Sequence, residues 1–144
     1  MKKILVSACL LGVACRYDGC SKPNQGVIEA ISKCSYIPVC PEELGGLPTP
    51  RKPSEIVGDR ILMVDGTDVT REYKRGAELA LKKALENGCE IAILKARSPS
   101  CGKGFIYDGT HTKTLTCGNG VCAQLLMDSG IKVIDETELD KLDL

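Results

Sequence analysis

At 144 residues the chain fits one domain, 1–144, able to bury a core without covalent staples. Its 19 lysines and arginines balance its 19 aspartates and glutamates, which disfavours a long nucleic acid as partner. No stretch approaches the roughly 20 apolar residues of a membrane span, and the N-terminal apolar run is shorter than the apolar core of a secretion signal. The expected compartment is therefore cytoplasmic, and nine cysteines there point to metal or thiol chemistry rather than to a disulfide framework.

Lys3 to Ala8 is β-rich and ends at Cys9 and Gly12, which predicts a buried strand followed by a loop to Pro23. Val27, Ile28 and Ile31 form a helical stripe that starts near Asn24, and Tyr36 to Val39 reads as a second strand. From Cys40 to Pro53 four prolines and two glycines predict a long shaped loop without regular structure. Glu55 to Val57 and Arg60 to Val64 read as a small hairpin insertion turning at Asp65-Gly66.

Asp68 or Thr70 is placed to cap a helix running to about Asn87. Its stripe is Tyr73, Ala77, Ala80, Leu81, Ala84 and Leu85, and Gly88 is its stop. Glu90 to Lys95 contains the clearest buried-strand signal, Ile91-Ala92-Ile93-Leu94, and leads into Ser98-Pro99-Ser100-Cys101-Gly102-Lys103-Gly104. A weak strand or hairpin around Phe105 to Tyr107, a helix from about Asn119 to Ser129, a strand from Ile131 to Ile134 and a short acidic helix complete the chain. Alternating strands and helices imply an α/β domain, a mainly parallel sheet flanked by helices with Rossmann-like, flavodoxin-like layering.

In such sheets ligands bind beyond the carboxyl ends of the strands, where Cys9, Cys40 and Cys101 all fall. Three thiolates make a soft site suited to iron–sulfur or zinc; the alternative is that each cysteine is a small buried hydrophobe. Cys34 and Cys89 lie near helix ends and read as core. The pairs Cys15 and Cys20, and Cys117 and Cys122, lack the two-residue spacing of zinc knuckles; Cys122 is expected in the core, and the role of Cys117 stays open.

A cluster with three protein thiolates leaves one iron open to an exogenous ligand, and a carboxylate is then needed to move protons. Glu42, two residues after Cys40, is tethered for that role, with Glu43 as its neighbour. Ser98 and Ser100 can hydrogen-bond substrate or cap the loop, and Arg16, Asp18, Lys22 and Arg51 can orient a polar ligand or be solvated loop charges. His111, the only histidine, reads as part of an exposed turn.

Taken together, Ser7-Ala8-Cys9-Leu10-Leu11-Gly12, Cys15-Arg16-Tyr17-Asp18-Gly19, Cys40-Pro41-Glu42 with Gly45-Gly46-Leu47-Pro48-Thr49-Pro50-Arg51, and Ser98-Pro99-Ser100-Cys101-Gly102 resemble the thiouracil desulfurase family over almost the whole chain. The resemblance implies an enzyme, a desulfurase with a 4Fe-4S cluster on Cys9, Cys40 and Cys101. It implies that the unique iron binds the sulfur of a small thiolated nucleobase or nucleoside, that water replaces this sulfur without net redox change, and that sulfide is released. Glu42 would serve as acid or base, assisted by Ser98 or Ser100, with Ser98 ranked first. The competing reading is a non-catalytic zinc-binding or thiol redox-sensing domain.

Overall fold

A computed structural model describes residues 3–142. The chain runs β1 (Lys3–Ser7), α1 (Gln25–Ile31), β2 (Ser35–Val39), α2 (Pro41–Leu44), β3 (Ser54–Val57), β4 (Arg60–Met63) and α3 (Thr70–Glu86). It continues through β5 (Ile91–Leu94), β6 (Phe105–Tyr107), β7 (Leu115–Cys117), α4 (Val121–Asp128) and β8 (Lys132–Asp135). Four strands form one wholly parallel sheet in the order β2-β1-β5-β8. The strands β3–β4 and β6–β7 are separate antiparallel hairpins.

Alternation sorts the sheet's side chains onto two covered faces. Ile4, Val6, Ile91, Ile93 and Ile134 pack with Val27 and Ile31 of α1. Leu5, Ala92, Leu94 and Val133 pack with Ala77, Ala80 and Ala84 of α3 and with Cys122, Ala123 and Leu126 of α4. The expected α/β architecture is therefore present. Among the described residues no helix is long and apolar enough to cross a membrane.

The chain moves from β1 outward to β2 and then returns past β1 to β5, so the winding reverses between β1 and β5. A crevice opens outside the carboxyl ends of two strands at such a reversal. Cys9 leaves β1 and Cys101 follows β5 on either side of it, while Cys40 leaves β2 next door.

Five local expectations need correction. The segment from Cys40 to Pro53 is not wholly irregular: Pro41 opens the short helix α2, at a position where its missing N–H would have no intrahelical partner anyway. The hairpin turns at Gly58-Asp59, with Gly58 at φ +64°, and Asp65-Gly66 forms the next turn, from β4 toward α3. Leu85 is 60% exposed, one residue round from the buried Ala84 and off the stripe. The closing helix is a single 3-10 turn, Leu139–Lys141, and residues 143–144 lie outside the described residues.

Fifth, the N-cap of α3 is Val69, which has no capping side chain, so neither Asp68 nor Thr70 holds the cap position expected of it; both instead brace the entry to the helix. The Asp68 carboxylate accepts the Thr70 N–H at 2.9 Å and the Thr70 hydroxyl proton at 2.6 Å. Thr70 Oγ1 in turn accepts the Ile61 N–H at 2.8 Å, which ties the helix to the β3–β4 hairpin.

Candidate functional site

The site grows from three loops. After β1 the chain makes a 3-10 turn, Ala8–Leu11, that stops at Gly12 with φ +98° and leaves Cys9 7% exposed. The Cys9 carbonyl accepts from Lys22 N–H at 2.9 Å, drawing the following loop back over the turn. That loop carries Cys15, which is 2% exposed. Its carbonyl accepts from Arg51 Nη2 at 3.0 Å and lies 3.6 Å from the Cys40 sulfur.

Cys40 and Glu42 sit at the head of α2, a helix too short to hold its place alone. Gly45 and Gly76 let it lie directly on α3: a Cβ at Gly45 would stand 1.9 Å from the Glu72 carbonyl oxygen, and one at Gly76 1.8 Å from that of Pro41. From that seat Glu42 Oε1 accepts Arg51 Nε–H at 3.1 Å and Tyr73 O–H at 2.7 Å. Arg51 also donates to the Pro48 carbonyl at 3.1 Å and to Thr49 Oγ1 at 2.9 Å, and its side chain is 2% exposed. Burial alone would lower the Arg51 pKa; the Glu42 carboxylate reverses this and raises it, so the guanidinium keeps its charge in its buried position.

The third loop is pinned by Ser98, whose Oγ accepts the N–H groups of Ser100 and Cys101 at 3.0 and 3.1 Å. Its carbonyls close the start of α4: Val121 donates to Pro99, and Cys122 and Ala123 donate to Ser100. A Cβ at Gly102 would come 2.7 Å from the Ser98 carbonyl, and one at Gly120 2.4 Å from that of Ser100. Both glycines are what allow the turn to close onto the helix.

These loops enclose a cavity of about 440 Å³. Cys9, Cys40, Cys101, Glu42 and Ser98 line it, so five of the six residues singled out from the sequence converge. Ser100 lies behind the wall, fully buried, its hydroxyl without an oxygen or nitrogen partner among the described residues and beside the Cys101 sulfur. Of the loop charges, Arg16, Lys22 and Arg51 reach the cavity, whereas Asp18 turns back to accept the Cys20 N–H at 3.0 Å. Cys89 and Cys122 are core and Cys34 packs against it, as expected, while Cys20 and Cys117 are exposed away from the cavity.

Burial pushes the Cys101 thiol up to about 12, although the Ser7 and Ser100 hydroxyls beside it work the other way. Cys15 is held at about 11: the Cys40 thiol facing it pulls it down, and Cys9 and burial outweigh that. Cys40 is raised further, first by Cys15 and then by burial. Neutral, desolvated thiols crowded at one point are the state from which a metal displaces protons.

Some of the site was not evident in the sequence. Tyr73 reads there as one member of the apolar stripe, yet its hydroxyl emerges at the cavity floor. His111 is not in a free turn; its ring lies 3.7 Å from the buried Glu55 carboxylate, which also accepts the N–H groups of Gly109 and His111. Arg97, His111 and Lys113 have φ of 69°, 59° and 61°, and all three stand on the cavity rim, where such backbone strain is commonly found at functional sites.

A family model described as 2-thiouracil desulfurase matches residues 4–138. The YbbK protein of Bacillus subtilis (strain 168) is 41% identical over 149 residues, spanning 96% of this chain and 99% of that protein. A solved structure of the [4Fe-4S]-dependent thiouracil desulfidase TudS superimposes with a TM-score of 0.94 at 45% identity, covering 99% of this chain and 95% of that one.

Proposed function

The chain belongs to the 2-thiouracil desulfurase family, and on that premise we propose how its own residues carry out a [4Fe-4S]-dependent, non-redox removal of sulfur from a thiolated nucleobase such as thiouracil. The observation that carries the assignment of residues is the convergence of Cys9, Cys40 and Cys101 from three strand ends on one cavity that also holds the Glu42 carboxylate. The donor set fits the group: three soft sulfurs and no histidine among them. A cluster bound through three thiolates supplies one open iron, a Lewis acid for the substrate sulfur.

Glu42 is the proton carrier. Both of its hydrogen bonds fall on Oε1, so among the described residues Oε2 has no protein partner and faces the cavity, ready to take a proton from the water that replaces sulfur. Tyr73 and Arg51 fix the carboxylate's direction. Ser98 Oγ already accepts two N–H groups, so its own proton is directed to the ligand, which favours Ser98 over the enclosed Ser100 for contact with substrate. Ser100 then serves the Cys101 sulfur.

Lys22, Arg97 and Lys113 line the cavity with no ion-pair partner among the described residues. They support a substrate whose non-reacting part is polar or anionic, such as a nucleoside or its phosphate. The whole chain acts as one desulfurase unit with flavodoxin-like winding, working in the cytoplasm where its nine cysteines stay reduced. A zinc-binding or redox-sensing domain is the less favoured reading, because it assigns no work to Glu42, Tyr73 and Ser98.

Anaerobic reconstitution with iron and acid-labile sulfide analysis, followed by sulfide release from 2- or 4-thiouracil, tests the function. One cluster per chain and turnover are expected; a protein that assembles no cluster overturns the reading. Glu42→Gln is expected to keep the cluster and lose at least ~100-fold in kcat, the scale of general acid–base catalysis.

A further inference from the structure

We infer that Cys15, Cys40 and Glu43 form a binding site for a single divalent, thiophilic cation in the cluster-free protein. Sharing Cys40 makes the ion and the cluster mutually exclusive. Only the exclusion rests on the reading of Cys40 as a cluster ligand; the ion site stands on its own geometry.

One ligand atom from each of the three residues lies within 4.8 Å of the other two. A tetrahedral zinc with bonds of about 2.0 to 2.3 Å needs donors about 3.3 to 3.8 Å apart, a range that lies inside the 4.8 Å bound on their separation. Cys9 and Cys101 line the same cavity but fall outside this compact triple. The arrangement is held from behind. Cys40 and Glu43 stand three residues apart across the first turn of α2 and so share a face. Thr49 donates its hydroxyl proton to the Glu43 carboxylate, and Arg51 grips the Cys15 carbonyl at 3.0 Å.

The chemistry of the donors selects the ion. Two sulfurs and one carboxylate oxygen suit Zn²⁺, Co²⁺ or Fe²⁺ and not Mg²⁺ or Ca²⁺, which demand oxygen ligands. A fourth position remains for water. Two thiolates and a carboxylate carry one charge more than the ion neutralises, and the buried guanidinium of Arg51 faces that excess. Binding releases the two thiol protons and changes no oxidation state. Cys15 thereby gains a function that the three-thiolate cluster leaves it without.

The test uses the full-length, cluster-free protein under anaerobic conditions, titrated with Co²⁺. One equivalent is expected to bind with thiolate-to-cobalt charge-transfer absorption and the visible bands of a tetrahedral site. By competition with a chromogenic chelator, Cys15→Ser should lose at least tenfold in affinity and half of the charge-transfer intensity. Cys101→Ser should bind within twofold of the parent chain. Glu43→Gln, which removes no sulfur, should weaken binding while keeping the charge-transfer band, and so answers the question if Cys15→Ser does not fold. Cobalt bound as tightly by Cys15→Ser, or lost in Cys101→Ser, overturns the site. One equivalent of Zn²⁺ should slow cluster reconstitution in the parent chain and leave Cys15→Ser unaffected; equal rates overturn the exclusion. A parent chain that binds cobalt yet never assembles a cluster would defeat the desulfurase reading and leave the ion site intact.

Discussion

Glu42 illustrates how a single carboxylate is given direction. A free glutamate in a loop samples several rotamers, whereas here one oxygen is clamped by a phenol at 2.7 Å and a guanidinium at 3.1 Å. Tyr73 is buried, and desolvation together with the neighbouring carboxylate pushes its phenol above its ordinary value, so it remains a proton donor in this bond. Tyr73→Phe is expected to lower kcat about tenfold, equivalent to ~1.4 kcal/mol, with KM and iron content unchanged. Steady-state kinetics beside iron analysis check this, and an unchanged kcat would remove Tyr73 from the mechanism. The convergence of Cys9, Cys40 and Cys101 on one cavity was legible because each comes at or soon after the carboxyl end of an apolar run of strand length. Tyr73 and Cys15 were not: an apolar stripe does not say which hydroxyl breaks through to a cavity, and Cys15 meets Cys40 only through the loop that Arg51 draws in.

At the scale of elements, the decisive contact is between α2 and α3. Glycine inside a helix costs about 1 kcal/mol relative to alanine, and Gly76 sits in the interior of the 17-residue α3. What offsets that cost is the seat it provides for Pro41, and hence for Cys40 and Glu42. Gly76→Ala is therefore expected to destabilise the protein by ~1–3 kcal/mol despite the better helix former, since backbone rather than a yielding side chain stands in the way. Chemical unfolding measures the loss, and a more stable variant would refute the close approach. The α2 helix is hidden among four prolines that signal irregular chain, because one of them occupies the first helical turn, where proline is welcome. Pattern reading recovers strands and long helices from periodicity, and it is weakest where four residues are held in place by someone else's surface.

Across the whole molecule, the loop that follows Cys101 is tied to the C-terminal turn through Glu138, which Lys103 and Lys141 approach at 3.3 and 2.7 Å. Burial alone would raise the Glu138 pKa; Lys141, the Asp135 N–H and Lys103 together lower it. A carboxylate lowered by folding contributes stability above its unfolded pKa and loses it as pH falls through the folded value. Thermal unfolding should thus show Glu138→Gln less stable by about 0.5–1 kcal/mol at neutral pH, with the difference fading in acid. A difference that persists at low pH would assign the effect to packing instead. The sheet order was legible only as a class: alternation implied parallel strands, but the reversal between β1 and β5 depends on which crossover turns back, and no local pattern records that.

The three sulfurs at the sheet's edge belong to crossovers far apart in the chain, and the last of them, on the loop after β5, is made only once two-thirds of the polypeptide exists. On the proposed ligand set of Cys9, Cys40 and Cys101, no earlier fragment would carry all three sulfurs, and loading would wait until the loop after β5 is made. A cluster held by those three sulfurs would lace the same edge shut across long chain loops and so double as a clasp that the unfolded chain would have to forgo.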